Sequence, residues 1–287
     1  MIRVEGLSFS YETGQAPSLN IPDLIIDEGE YVAVIGPNGC GKTTLIRHFN
    51  ALLLPDAGVV QIDGLNTSDS RNLTEIRRLV GMIFQNPDNQ IVGMSVEEDV
   101  AFGPGNLGLP ATEIRRRVDN AIQTVGLAGL ETRSPHTLSG GQKQLLALAG
   151  LLAMSPRFIV LDEPTSSLDP AGKKNVLAQL KRLQRQGIGI IQVTQCMDEA
   201  VVADRVLVLD KGELVADGKP GDIFSRVQWL RALGMDPPQV AELMWQLNQR
   251  GEDVSKHSLT VDEAVDEIAS LLAELRNATH ACVHPGR

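Results

Sequence analysis

The chain has 287 residues, of which 43% are hydrophobic, 22% charged and 3% aromatic; that composition excludes disorder as the main state and requires aliphatic side chains to fill the core. Twenty-six Lys and Arg against 36 Asp and Glu leave a formal net charge of -10, which repels phosphate backbones and argues against nucleic acid as a partner. The longest uncharged apolar run, residues 145–154, is about half of the roughly 20 residues that cross a bilayer, and Cys40, Cys196 and Cys282 are too few and scattered for a disulfide framework, so a chain that neither spans a membrane nor is secreted is expected.

Short β-like runs come first, at Ile2–Phe9, Leu19–Ile26, Tyr31–Ile35 and 59–62, with Gly29, Gly36 and Gly58 as punctuation and a helix after Gly41. A further apolar strand is predicted at 80–84. From about 86 to 155 the spacing turns helical, through Ile114, Val118, Ile122 and Val125 and then Leu145, Leu146, Leu148 and Leu152. Residues 157–218 alternate again: strands at 158–161, 188–193 and 206–209, with a helix over 170–186. Buried apolar strands separated by helices predict a parallel sheet with helices on its faces. Beyond Pro220 the strands stop. Ile268, Leu271, Leu272 and Leu275 recur at helical spacing, and Thr260 with Glu263 has the form of a capping box. The expected division is a domain over 1–220 containing a helical insertion, a small helical unit over 221–276 and a flexible tail over 277–287.

Gly36, Pro37, Asn38, Gly39, Cys40, Gly41, Lys42 and Thr43 spell a phosphate-binding loop between a strand and a helix. Glycines let backbone N–H groups turn toward a β-phosphate, Lys42 neutralises β- and γ-oxygens, and the Thr43 hydroxyl ligates Mg²⁺. Downstream, the apolar run 158–161 ends in Asp162 and Glu163, two carboxylates at the edge of a buried strand where parallel sheets bind ligands. Asp162 is placed to hold Mg²⁺ through water and Glu163 to polarise an attacking water.

Leu138, Ser139, Gly140, Gly141 and Gln142 resemble the signature motif of ATP-binding cassette ATPases. A Ser and two glycines opening a helix form another anion site, and the resemblance implies that its phosphate belongs to ATP held by a partner subunit. Gln85 resembles the glutamine that touches Mg²⁺ and couples the core to the helical insertion. Ser167, Leu168 and Asp169 resemble the loop that crosses the dimer interface, Tyr11 lies where the family stacks an aromatic ring on adenine, and Thr44 completes the ATP-binding loop. The resemblance covers residues 1–220. It implies an α/β fold with a P-loop NTPase core, a mixed sheet flanked by helices, a helical signature subdomain over about 86–155 and a small helical C-terminal extension.

Within the family, residues 84–90 and 99–110 resemble the ATPase subunits of energy-coupling-factor transporters, which import cobalt, nickel or vitamins. That resemblance implies ATP and Mg²⁺ as ligands, a second cassette subunit in a homo- or heterodimer, and a transmembrane coupling subunit docked near residues 85–91. It also implies a membrane substrate-binding component and a place on the cytoplasmic face of the membrane. The C-terminal extension would contribute to dimerisation.

The sequence departs from the family at Gln195, within Thr194–Ala200, where a histidine is usual. An amide can donate to phosphate or water but cannot take up a proton, and losing one positioned transition-state contributor costs about 10²-fold in rate. Two readings of Gln195 follow: Glu163 suffices, or this subunit hydrolyses poorly beside a competent partner. A cassette protein acting on DNA or ribosomes is the reading from another class, opposed by the net charge. Cys40 reads as a small loop side chain more readily than as a redox thiol, and His280, Cys282 and His284 lack a fourth ligand and a defined geometry for metal.

Overall fold

The computed structural model describes residues 1–12 and 18–283, with side chains described as far as residue 273. The first block contains strands β1 (Ile2–Phe9), β2 (Leu19–Ile26) and β3 (Tyr31–Ile35), helix α1 (Lys42–Phe49), strands β4 (Ala57–Ile62) and β5 (Leu65–Asn66), helix α2 (Leu73–Leu79) and strand β6 (Val80–Ile83). Helices α3 (Val96–Asn106), α4 (Ala111–Val125) and α5 (Gly140–Ala153) follow. The chain then returns to the sheet through β7 (Phe158–Asp162), α6 (Pro170–Arg185), β8 (Gly189–Val193), α7 (Met197–Ala200), β9 (Arg205–Asp210) and β10 (Glu213–Gly218). It ends in α8 (Pro220–Phe224), α9 (Val227–Ala232), α10 (Gln239–Gln249) and α11 (Val261–Val283).

Among the described residues the strands form one sheet in the order β5-β4-β1-β2-β10-β9-β3-β8-β7-β6. From β9 to β6 every pairing is parallel, and β3, β7 and β8 are buried at every position, as continuous apolar runs require when helices cover both faces. β1, β2 and β4 pair antiparallel and alternate buried with exposed residues in β1 and β2. The parallel pairing expected from the apolar runs is the β9-to-β6 half, and the whole sheet is mixed, as the family resemblance implies. β10, absent from the sequence reading, joins the halves: antiparallel to β9 and bridged to β2 at Glu213 and Asn20. None of its residues is fully buried, so it has no apolar run; its signal is the Lys211-Gly212 turn, both residues at positive φ.

Alternate residues of β3 feed the two sides of the sheet. Tyr31, Ala33 and Ile35 join the core shared with α3, α4, α5 and α6, and Val32 and Val34 join the core beneath α1 and the antiparallel strands. Ile223, Phe224, Leu230, Met235 and Ala241 of the C-terminal segment share the first of these cores, whereas Met244, Val254 and Ala264 form a small one of their own. At α11 the Thr260 hydroxyl accepts from Glu263 N (3.3 Å) while the Glu263 carboxylate accepts from Thr260 N (3.0 Å), the reciprocal bonds of a capping box. α11 runs through Val283, past the boundary at 276, so the first part of the expected flexible tail is helical. From Val261 onward the sequence has no Gly or Pro before Pro285. The side chains of Leu275, His280 and Cys282, and all of His284, lie outside the described residues. No described helix is long and apolar enough to cross a membrane.

Candidate active site

Adjacent parallel strands β3, β8 and β7 end at the same edge of the sheet, which is where the loops after them converge. The phosphate loop leaves β3 through Gly36, whose backbone passes so close to β9 that a Cβ would stand 2.2 Å from the Leu209 carbonyl oxygen. No other residue fits there. Lys42 is buried, and its Nζ donates to the carbonyls of Gly36 (2.7 Å) and Pro37 (2.9 Å), folded over the loop it serves. Burial pushes the Cys40 thiol above its ordinary value against the opposing pull of the Lys42 charge, so the helix N-terminus does not make it a reactive thiolate.

Thr43 Oγ1 donates to the Asp162 carboxylate at 2.9 and 3.2 Å, joining the start of α1 to the end of β7. Burial raises the Asp162 pKa, the Thr43 bond opposes that shift, and the adjacent Glu163 charge adds to it. Thr44 Oγ1 shares a hydrogen bond of 3.0 Å with the Tyr11 hydroxyl, and the Tyr11 ring, 59% exposed, stands edge-on to Phe9.

Glu163 has a left-handed backbone (φ +49°), a conformation that costs a non-glycine residue about 1–3 kcal/mol and persists only where its surroundings impose it. Its N–H donates to Val193 O at 3.0 Å. The two carboxylate oxygens accept from different amides: Oε2 from Gln85 Nε2 (3.1 Å) and Oε1 from Gln195 Nε2. Residues 36–44, 85, 162, 163 and 195 thus form one site.

Leu138–Gln142 and Ser167–Asp169 form a second cluster. Ser139 caps α5 in a reciprocal box with Gln142 (3.3 and 3.0 Å), and because its oxygen accepts there, its proton stays free to be donated. Capping and anion binding are therefore compatible. Gly140 faces Leu168 and Gly141 faces Gly172 of α6, at distances where a Cβ would make ordinary contact (3.4 and 3.5 Å), so α5 starts against the loop and first turn of α6. Asp169 Oδ1 accepts from Gly172 N (3.1 Å) and caps α6. Lys143 of α5 is paired with Asp88 (2.6 Å), tying the signature helix to the turn that follows Gln85.

Sequence reasoning missed a buried network around Glu199, whose carboxylate accepts from Thr165, Gln192 and Thr194. Gln192, a polar residue in the apolar strand 188–193, was the available signal. It also missed His48, fully buried against Phe9, and the bond from Gln239 N at the start of α10 to Asp198 Oδ1 (3.1 Å). The C-terminal segment therefore touches the residues that follow Gln195.

The hydrogen-bonded Thr43 hydroxyl and Asp162 carboxylate present hard oxygen donors, the chemistry that suits Mg²⁺. Residues 19–166 match the ABC transporter family. The chain is 50% identical over 270 residues to a cobalt import ATP-binding protein of Syntrophus aciditrophicus, covering 94% of this chain and 96% of that one. It is 49% identical over 276 residues to an energy-coupling factor transporter ATP-binding protein of Clostridium perfringens, covering 94% and 98%. Among solved structures, a Clostridium perfringens CbiO protein that is part of an ABC transporter complex superposes with a TM-score of 0.74 at 36% identity, over 85% of this chain and 98% of that one. A dimeric ATP-binding cassette with bound ADP and phosphate gives 0.68 at 31% identity, over 77% and 99%. The chain belongs to the ABC transporter family of ATP-binding proteins, and is an ATPase of that family resembling its energy-coupling-factor members.

Proposed function

We propose that this chain hydrolyses ATP to ADP and phosphate in order to drive a membrane importer of the energy-coupling-factor type, with a transition-metal ion or a vitamin as cargo. The observation that carries this reading is the convergence at one sheet edge of the phosphate loop, the Thr43–Asp162 pair and a Glu163 held by Gln85 and Gln195. In this reading residues 1–220 form the cassette and 221–276 the extension.

ABC ATPases bind ATP with Mg²⁺; here Thr43, Gln85 and, through water, Asp162 would hold the ion, which when bound neutralises charge on the β- and γ-phosphates. Lys42 exchanges the carbonyls of Gly36 and Pro37 for phosphate oxygens. Tyr11, exposed beside Thr44, offers its ring to adenine. Glu163 accepts a proton from the attacking water, and the amides of Gln85 and Gln195 keep its carboxylate aimed at that water. A second cassette closes the site with its own signature segment; Ser139 of this chain donates its free O–H to the partner's ATP in return.

The non-hydrolysing alternative raised by Gln195 is not favoured, because Glu163 is present and both its oxygens are engaged. The coupling surface is assigned to the segment after Gln85. There Asp99 accepts from Val92 N (2.7 Å) and Gly93 N (2.9 Å), and the loop so held leaves Val92 and Met94 exposed, as Phe102 is on α3. Exposed Val261, Val265 and Leu272 on α11 support a role for the extension in dimerisation. The peripheral position on the cytoplasmic membrane face follows from the partner, not from this chain. The test is purification from detergent-solubilised membranes, identification of the co-purifying membrane proteins, and ATP-driven cobalt, nickel or vitamin uptake by vesicles carrying the complex. Uptake that persists with Lys42→Ala would contradict the reading.

A further inference from the structure

Glu199 is 5% exposed and stands in α7, four residues after Gln195. One of its oxygens, Oε2, accepts three hydrogen bonds: from Thr165 Oγ1 (2.6 Å), Gln192 Nε2 (3.1 Å) and Thr194 Oγ1 (3.1 Å). The other, Oε1, has no hydrogen bond and lies 3.6 Å from Lys173 Nζ on α6. The network extends further, because the buried Tyr31 hydroxyl of β3 donates to Gln192 Oε1. Thr194 Oγ1 also accepts from Cys196 N (3.0 Å), which fixes the turn on which Gln195 sits. Glu199 and Lys173 share a cavity of about 150 Å³ with Glu163, Ser166 and Gln195.

A buried carboxylate carries a desolvation cost that an apolar residue would not, so its presence needs a reason beyond stability. Its donors supply that reason, because they come from elements that must act together. Thr165 lies between Glu163 and Ser167, and its carbonyl accepts from Leu168 N (3.1 Å), so it sets the path of both the catalytic carboxylate and the dimer loop. Thr194 sets the path of Gln195. Lys173 lies on the first turn of α6, just after Asp169.

We infer that Glu199 is a positioning residue for hydrolysis. It holds the Gln195 segment in register with the Glu163 loop and with Ser167–Asp169, so that the group holding the base and the loop reaching the partner move as one unit. This rests on the reading of Glu163 as the base. A misplacement near 1 Å at such a site costs about 10²-fold in rate, while the phosphate loop, which makes no bond to Glu199, keeps its ATP affinity.

The test compares Glu199→Gln, Thr165→Val and Thr165→Ser with Glu163→Gln in the full chain purified with its membrane partners, measuring ATP turnover, KM, ATP affinity and melting temperature. Glu199→Gln keeps the shape but presents either a weaker neutral acceptor or a donor to three donors. Thr165→Val removes one of those donors, and Thr165→Ser restores it. The expected result is a fall in kcat of at least about tenfold in Glu199→Gln and Thr165→Val, with KM, affinity and melting temperature little changed and Thr165→Ser close to wild type. Wild-type kcat in Thr165→Val and Glu199→Gln beside an inactive Glu163→Gln overturns the inference alone. So does a fall in kcat that only tracks lost ATP binding or folding. Should Glu199→Gln fail to fold, the Thr165 pair decides: equal turnover of valine and serine variants overturns it. Full turnover by Glu163→Gln overturns the base assignment and this inference together.

Discussion

The Gln195 amide donates to the Glu163 carboxylate: the residue that departs from the family pattern is bonded directly to the residue read as the base. An amide in that place can orient Glu163 but cannot share its proton, whereas imidazole can do both. Gln195→His should therefore raise kcat of the assembled complex several-fold and leave KM nearly unchanged, because the gain concerns the transition state more than ground-state binding. Equal turnover of the two proteins would show Gln195 to be a neutral replacement.

Lys42 makes its present bonds to two loop carbonyls, which any phosphate oxygen outcompetes for an ammonium ion. Lys42→Ala should cost about tenfold or more in ATP affinity, read by equilibrium titration with a fluorescent ATP analogue. Unchanged affinity would displace the phosphate site from residues 36–44.

His48 is buried in α1, its Nδ1 2.8 Å from Thr44 O and its Nε2 without a hydrogen bond. Burial lowers its pKa below the ordinary histidine value, with the Thr44 and Leu54 carbonyls and Asp56 opposing. As pH falls through about 6.5 the unfolded chain takes up the proton before the folded chain does, so folding stability declines, by at most about 1.4 kcal/mol per pH unit for one group. The melting temperature should drop more between pH 7.5 and 5.5 for wild type than for His48→Gln. Parallel pH profiles would contradict this.

Asp198 accepts from the first N–H of α10, whose own cap residue, Pro238, supplies no side-chain bond. Asp198→Ala should lower stability by about 1 kcal/mol, the ordinary value of an N-cap acceptor, while Asp198→Asn retains most of it; chemical denaturation measures both. An alanine variant as stable as wild type would show that the contact contributes nothing.

Much of the site is legible in the sequence because its parts are local. Residues 36–43 and 138–142, read as anion sites, each draw on the backbone groups of a single turn, and Asp162–Glu163 end an apolar strand, so spacing alone reveals them. The Glu199 network is assembled from β3, the loop after β7, α6, β8 and α7, and contacts of long sequence separation leave no periodic trace. β10 escaped notice for a different reason: it has no fully buried residue, and strand patterns are read from burial. Mixed pairing depends on which strands become neighbours, so no single segment shows it, and it was legible only through the family resemblance.

The central claim, that Glu163 supplies the base at an ATP site closed by a second cassette, is tested most directly by single-turnover phosphate release from Glu163→Gln in the assembled complex. The amide keeps the shape of Glu163 but cannot accept the proton. Retained ATP binding, phosphate release slowed by at least about 10²-fold and an ATP-trapped dimer on size-exclusion chromatography are predicted. Phosphate release at the wild-type rate would contradict the account.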